Sequence, residues 1–247
     1  YGTFDAYWHV RGFPGHWDWT HGNGVTYDTR DDSVIVSLRN QDAVIKIDRE
    51  SNEVRWILGT HDDWAPEFQD KLLTPIGDVT WPSHGHNPRV TPDGTIVMFD
   101  NGILQARPFR AAPKSPNETF SRGVEYEIDE ENMTVRQVWA SATELSDDSC
   151  NSFAMGDTHR LPQTNNMLVI YTICLARREG LQYDTFSLEP HVNEVPTHTR
   201  IREYTRTDPP EVVSEIIVRD DSYILQWQVY GGLHVESLYP EPTVDDR

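Results

Sequence analysis

Three histidines stand in similar company along this chain, and imidazole is the side chain whose charge changes near neutral pH. His21 lies in Trp17-Asp18-Trp19-Thr20-His21-Gly22-Asn23-Gly24, ahead of a strand-like run, an acidic turn and a second run. His86 precedes Arg89-Val90-Thr91, the turn Pro92-Asp93-Gly94, and Thr95-Ile96-Val97-Met98-Phe99. His159 precedes Arg160-Leu161, a turn over 162–166, and Met167-Leu168-Val169-Ile170-Tyr171. A lone histidine beside Trp and Gly is ordinarily a packed, hydrogen-bonded residue. Three in matching places point instead to a shared site. Such a set can ligate a metal, since three histidines make a familiar catalytic zinc centre. It can equally work without metal, as nucleophile, acid–base pair and charge stabiliser. Asp157 is the one acidic residue near any of the three on its own strand, which favours the metal-free chemistry.

The elements around these residues are short and β-rich. In the first unit, runs at 24–27, 33–38, 44–48 and 53–58 alternate with turns at 28–32, 40–42 and 49–52, which reads as four antiparallel strands. The outer hairpin recurs at 124–129 and 134–139 with the same Asp at its turn and the same closing Trp. A third, weaker copy runs through 200–205 and 212–217 around Pro209-Pro210. Four short strands closed by Trp is the pattern of a β-propeller blade, and the innermost strand of each blade lines the central channel. We therefore expect an all-β single propeller domain, or a portion of one. Its blade-like units lie at about 17–60, 82–140 and 150–218, with a closing segment at 219–247. The histidines are spaced more widely than the roughly 40–50 residues per blade of common propellers. The excess lies in insertions at 61–82, 103–121 and 177–198, with helix expected only at 66–72 and 143–147. Three units plus end fragments reach at most the low end of the usual 4–8 blades, so the propeller is small or another chain or segment completes it.

Composition narrows the function. A net charge of −19 argues against nucleic acid as a partner. No apolar run approaches a membrane span, and no signal peptide is read at Tyr1. Lysine is confined to Lys46, Lys71 and Lys114, which fits a high-salt source as well as simple solubility by repulsion. Aromatic residues at 11% with eight Trp fit a folded chain. Cys150 and Cys174 bracket the third histidine unit; they pair if the compartment is oxidising and are otherwise two buried thiols. The sequons Asn117-Glu118-Thr119 and Asn132-Met133-Thr134 fit a secreted protein.

The strings Trp19-Thr20-His21-Gly22-Asn23, Ser33 to Asn40, Val44 to Asp48, His86 through Phe99-Asp100-Asn101-Gly102, and Ser121 to Asp129 resemble the bacterial arylsulfate sulfotransferases. The resemblance covers most of 17–139, is looser through His159 and the C-terminal Tyr239-Pro240, and falls on the C-terminal half of a family about twice as long. It implies a six-bladed propeller, exported to the periplasm or cell exterior. That enzyme would move a sulfuryl group from an aryl sulfate to a phenol through a sulfohistidine, with no cofactor, no metal and no nucleotide sulfate donor. By resemblance His159 is the nucleophile, His21 and His86 are acid–base and sulfuryl-binding groups, and an arginine after Asp100-Asn101-Gly102 holds the sulfate oxygens. Arg107 is the candidate for that arginine, with Gln105 the rival occupant of the slot. His84 competes with His86 for the channel-facing place, since alternation along a strand lets one of them face inward. Asn23, Trp19 and Asn101 are expected to bind substrate, and Trp17, Trp19 and Trp81 could stack on phenolic rings. The rival readings are a degenerate propeller that binds a ligand or protein, a metal-dependent hydrolase on the same scaffold, and a homo-oligomer or companion chain that completes the ring.

Overall fold

The computed structural model describes residues 19–62, 64–106, 112–175, 197–220, 228–233 and 235. The runs of β-branched residues form three sheets. In the first, β1 (Gly22–Asp28), β2 (Ser33–Leu38), β3 (Ala43–Asp48) and β4 (Val54–Gly59) follow one another as antiparallel neighbours. In the second, β6 (His86–Val90), β7 (Ile96–Asp100), β8 (Arg122–Asp129) and β9 (Thr134–Ala140) do the same, and β5 (Thr74–Pro75) adds to β9 in parallel. In the third, β11 (Asp157–Arg160), β12 (Met167–Leu175), β13 (Thr197–Tyr204) and β14 (Val212–Val218) repeat the order, and β10 (Asn151–Ser152) pairs the far end of β12.

Local chemistry explains the recurring outer hairpin. The Asp48 carboxylate accepts the N–H groups of Glu50 and Ser51 at 3.0 and 2.9 Å, and Asn52 takes the left-handed conformation. Asp129 accepts the Asn132 N–H at 3.0 Å, with Met133 left-handed. The shared Asp is thus a turn former that satisfies backbone donors. The two closing Trp residues have a related role: Trp56 donates to Glu130 at 3.1 Å and Trp139 to the Thr205 carbonyl at 3.2 Å, each reaching into the next sheet.

Among the described residues helix occurs only as 3-10 turns, at Arg39–Gln41, Pro66–Lys71 and Pro116–Glu118. The segment 66–72 therefore winds more tightly than an α-helix. No helix forms at 143–147. There Ser149 donates its backbone N–H to the Ser146 carbonyl at 3.1 Å and accepts the Ser146 N–H on its hydroxyl at 2.9 Å, so serine side chains replace helical bonds. The turn at 116–118 carries a capping box between Ser115 and Glu118 that the sequence reading passed over.

The sheets pack face to face. Ile35, Val44, Trp56 and Leu58 of the first meet Ile96, Met98, Val124 and Tyr126 of the second. On the other side Val97, Phe99 and Trp139 meet Met167, Val169, Tyr171 and Tyr204 of the third, with Phe99 edge-on to Tyr171 at 5.5 Å. Every residue of β7 is buried as a result. Cys150 and Cys174 form a disulfide inside this second core. Gly24 is required where β1 crosses the second sheet, since a Cβ there would lie 2.8 Å from the Asn87 nitrogen.

Between the first two sheets Lys46, 2% exposed, sits among three carboxylates: Asp28 at 3.1 Å, Asp31 at 2.6 Å and Glu130 at 2.6 Å. Burial acts to lower its pKa, but the carboxylates outweigh it and hold the amine charged. Lys46→Met leaves the acids facing one another without their shared cation. We expect about 3 kcal/mol of lost stability in urea unfolding, at the lower end for a broken buried pair because Asp31 and Glu130 keep contact with water.

Candidate active site

The first strand of each sheet brings the histidine motifs together, because β1 lies beside β6 and β6 beside β11. The Thr26 hydroxyl donates to the Pro88 carbonyl at 2.6 Å, and the Asn87 side chain donates to the Gly156 carbonyl at 2.7 Å. The histidines do not, however, occupy one level. His21 precedes β1, and His86 is the first residue of β6, opposite Phe99. His159 is the third residue of β11, opposite Leu168, which is the level of Arg89 opposite Val97. Counting back from the turns explains the stagger, for Arg89 and His159 each stand one residue inside the last strand pair.

His86 is a hub. It is 3% exposed, and its Nδ1 lies 2.6 Å from Asn101 Oδ1 and 3.1 Å from the His84 carbonyl, both acceptors. Its Nε2 accepts the Met155 N–H at 3.1 Å. These contacts select the neutral tautomer with the proton on Nδ1. Burial, then the Arg39 charge, push its pKa down to about 3, and His21 acts in the same direction. The buried Arg39 in turn donates its backbone N–H to the His21 carbonyl at 3.3 Å. His84 has a different role: it is fully buried, with Nδ1 2.9 Å from Asp42 Oδ1, and the same carboxylate accepts its N–H at 2.8 Å. Of the two rivals, His86 is the one tied to Asn101 and Met155, and His84 the one held by Asp42.

Asn101 makes this arrangement. Its Nδ2 donates to the Ser152 carbonyl at 2.7 Å and the Met155 carbonyl at 2.9 Å while its oxygen receives His86. It is fully buried, with its oxygen and both amide hydrogens engaged, so it positions His86. The neighbouring Asp100 pairs with Arg122 at 3.0 Å and accepts the N–H groups of Ser83 and Gly102 at 2.8 and 3.0 Å. Gly102 follows with φ of 64°, where a Cβ would lie 2.0 Å from the Phe120 carbonyl oxygen. The string Phe99-Asp100-Asn101-Gly102 is thus a core aromatic, an ion-pair anchor, a histidine holder and a turn that only glycine fits.

His159 has its own partners. Asp157 Oδ2 is 3.0 Å from its Nε2, and Asp157 receives a two-pronged bond from Arg89 at 3.0 and 2.9 Å. Burial raises the Asp157 pKa, but His159 and Arg89 together outweigh it and keep the carboxylate ionised. Asn23 binds the Ser37 hydroxyl through its oxygen, while its buried Nδ2 has no partner. Trp19 is 40% exposed, and its carbonyl accepts the Gln41 amide. Gln105 donates to the Gly102 carbonyl at 2.9 Å and accepts Lys114 at 3.0 Å, which ties it into its own loop. Arg107 and Trp17 lie outside the described residues. Among the described residues, no group of three or more His, Cys, Asp and Glu side chains is arranged to hold a metal ion.

Two participants escaped the sequence reading. Arg39 lies in a string already noted, but nothing in its spacing marks it as a neighbour of His86. Tyr230 comes from the C-terminal segment: its ring meets His86 edge-on at 6.4 Å, and its hydroxyl donates to the Asn23 carbonyl at 3.2 Å. Backbone strain gathers here too, with His21, His84, Asn87, Leu104, Gln105 and Met155 all left-handed without being glycine.

The neutral state of His86 has a measurable consequence. Its pKa falls from 6.5 to about 3 on folding, so its contribution to stability is present above 6.5 and is lost as pH drops toward 3. In an NMR titration the His86 ring should not titrate between about pH 5 and 8. In acid unfolding curves, His86→Gln should flatten the loss of stability below the ordinary histidine value.

A sequence model described as Arylsulfotransferase (ASST) matches residues 4–222. The arylsulfate sulfotransferase AssT of Escherichia coli O6:H1 is 36% identical over 139 residues, and that of Lelliottia amnigena 33% over 139 residues. In each case the match covers 49% of this chain and 22% of the relative's length. A solved structure, the PQQ-bound aldose sugar dehydrogenase of Streptomyces coelicolor, superposes over 75% of this chain and 45% of its own with TM-score 0.38 and 13% identity, too loosely to bear on function. The two His-Gly-Asn and Asp-Asn-Gly strings, the geometry they build around His86 and the match over most of the chain agree: this chain belongs to the arylsulfotransferase family.

Proposed function

We propose that this protein transfers a sulfuryl group from an aryl sulfate to a phenolic acceptor through a sulfohistidine on His159, without a nucleotide sulfate donor. The observation that carries this reading is the Asp157–His159 pair beside Arg89, on inner strands that adjoin the His86 centre. With Nε2 3.0 Å from a buried carboxylate oxygen, the imidazole has Nδ1 left to attack sulfur. The carboxylate stabilises the positive charge that develops on the ring. As the N–S bond forms, the S–O bond to the donor breaks and a phenolate leaves. The acceptor oxygen then attacks the same sulfur, the N–S bond breaks, and the acceptor proton balances the departing phenolate. Sulfuryl transfer spreads charge over the equatorial oxygens, so cationic and N–H donors set in advance lower the barrier. Arg89, His21 and the unpartnered Nδ2 of Asn23 are donors of that kind. By family resemblance Arg107 is another.

The three sheets act in this reading as consecutive blades of a larger propeller. Exposed apolar side chains at both ends support further blades there: Val25 at 70% and Tyr27 at 51% on β1, and Ile216 at 59% on β14. The disulfide supports an exported protein in an oxidising compartment.

With para-nitrophenyl sulfate as donor, His159→Ala should lose both release of para-nitrophenol and sulfuryl labelling of the protein. Labelling that persists in that variant removes His159 as the nucleophile. Asp157→Asn should lower kcat by about 10²–10⁴-fold with little change in KM, since it acts through His159 on the chemical step.

A further inference from the structure

The group standing beside His86 is itself a phenol. Tyr230 reaches the centre on a segment held by specific contacts. Its carbonyl accepts the Gly156 N–H at 3.1 Å, and its hydroxyl donates to the Asn23 carbonyl at 3.2 Å. Gly231 then passes so near Asp157 that a Cβ would lie 2.9 Å from its Oδ2, and Gly232 so near Ile170 that a Cβ would lie 2.6 Å from its Cδ1. The segment therefore threads past β1, β6 and β11; Gly231 lets it approach the His159 partner closely, and Gly232 lets it pack on Ile170. Tyr230 remains 55% exposed, so a reactant can still reach its oxygen. The residue that receives the Tyr230 hydroxyl, Asn23, also carries the buried amide nitrogen that lacks a partner. A sulfuryl oxygen on Tyr230 would be an acceptor for such a donor.

We propose that Tyr230 is a self-sulfation site: in the absence of an external phenol, the protein's own tyrosine takes the sulfuryl group. This rests on the sulfotransfer reading above. The S–O bond to the donor's aryl oxygen breaks as the N–S bond to His159 forms; that N–S bond then breaks as a bond from sulfur to Tyr230 Oη forms, and the tyrosine proton balances the departed phenolate. Nothing is oxidised or reduced, and the aryl sulfate is the only co-reactant. The modification places an anion in the acceptor's position, so an external phenol and Tyr230 compete for the same transfer.

The test is incubation of the protein with para-nitrophenyl sulfate alone, then with a large excess of phenol, followed by peptide mass spectrometry that locates the added SO₃. We expect one SO₃ on Tyr230 without phenol, suppression of that mark by phenol, and its absence from Tyr230→Phe. Release of para-nitrophenol with sulfuryl transfer to added phenol, but an unmarked Tyr230 in the phenol-free sample, overturns self-sulfation and leaves the sulfotransfer reading standing. A mark that appears on Tyr230 but is unaffected by excess phenol overturns the shared acceptor position. No release of para-nitrophenol under either condition overturns both readings.

Discussion

The centre of this protein depends on the side-chain amide of Asn101. One residue on the loop after β7 holds the His86 ring through its oxygen and, through its nitrogen, the carbonyls of Ser152 at the end of β10 and Met155 in the loop that follows. Each bond needs the others. The nitrogen's two donors fix which end of the amide is oxygen, that oxygen fixes the proton on His86 Nδ1, and the neutral Nε2 is then free to accept Met155. All of this is buried, where an amide with one missing partner would cost more than the bond itself contributes. The ion pair of Asp100 with Arg122 and the turn at Gly102 hold Asn101 in place, which is why the string is an anchor before it is anything catalytic.

Electrostatics organises the rest. The chain carries a net charge of −19, so carboxylates are plentiful and cations are few, and several of those few are buried between sheets. Lys46 joins the first sheet to the second, and Arg206 reaches Glu125 at 2.6 Å between the third and the second. Arg89 crosses from β6 to Asp157 on β11. These contacts tie successive sheets at the inner strands and around the third strand of each. The same inner-strand contact that joins two sheets also orders the carboxylate that faces His159. Structure and chemistry share a residue there, and Asp157→Asn tests both.

Much of the architecture was legible in advance. Runs of β-branched residues between Gly, Asp and Asn turns located most of the strands to within a few residues, because period-two alternation and turn formers are local properties. The stretch at 143–147 misled, since Ser146 bonds Ser149 through side chain and backbone outside a helix. The likeness among the three histidine motifs was real in sequence but inexact in space. The strands enter at different levels, and a shift of three residues sets His159 beside Asp157 and not at the height of His86.

The sequence by itself determined the all-β class, the repeating four-strand unit, the family and the histidines worth attention, since each is carried by residue type and spacing along the chain. Only the tertiary structure decided that Asn101 holds His86 while Asp42 holds His84, and that Arg39 and Tyr230 belong to the centre. Those facts depend on pairs from different sheets meeting, such as the Asn23 carbonyl and the Tyr230 hydroxyl, 207 positions apart in the chain. No local period encodes such a meeting. It is set by how the sheets pack.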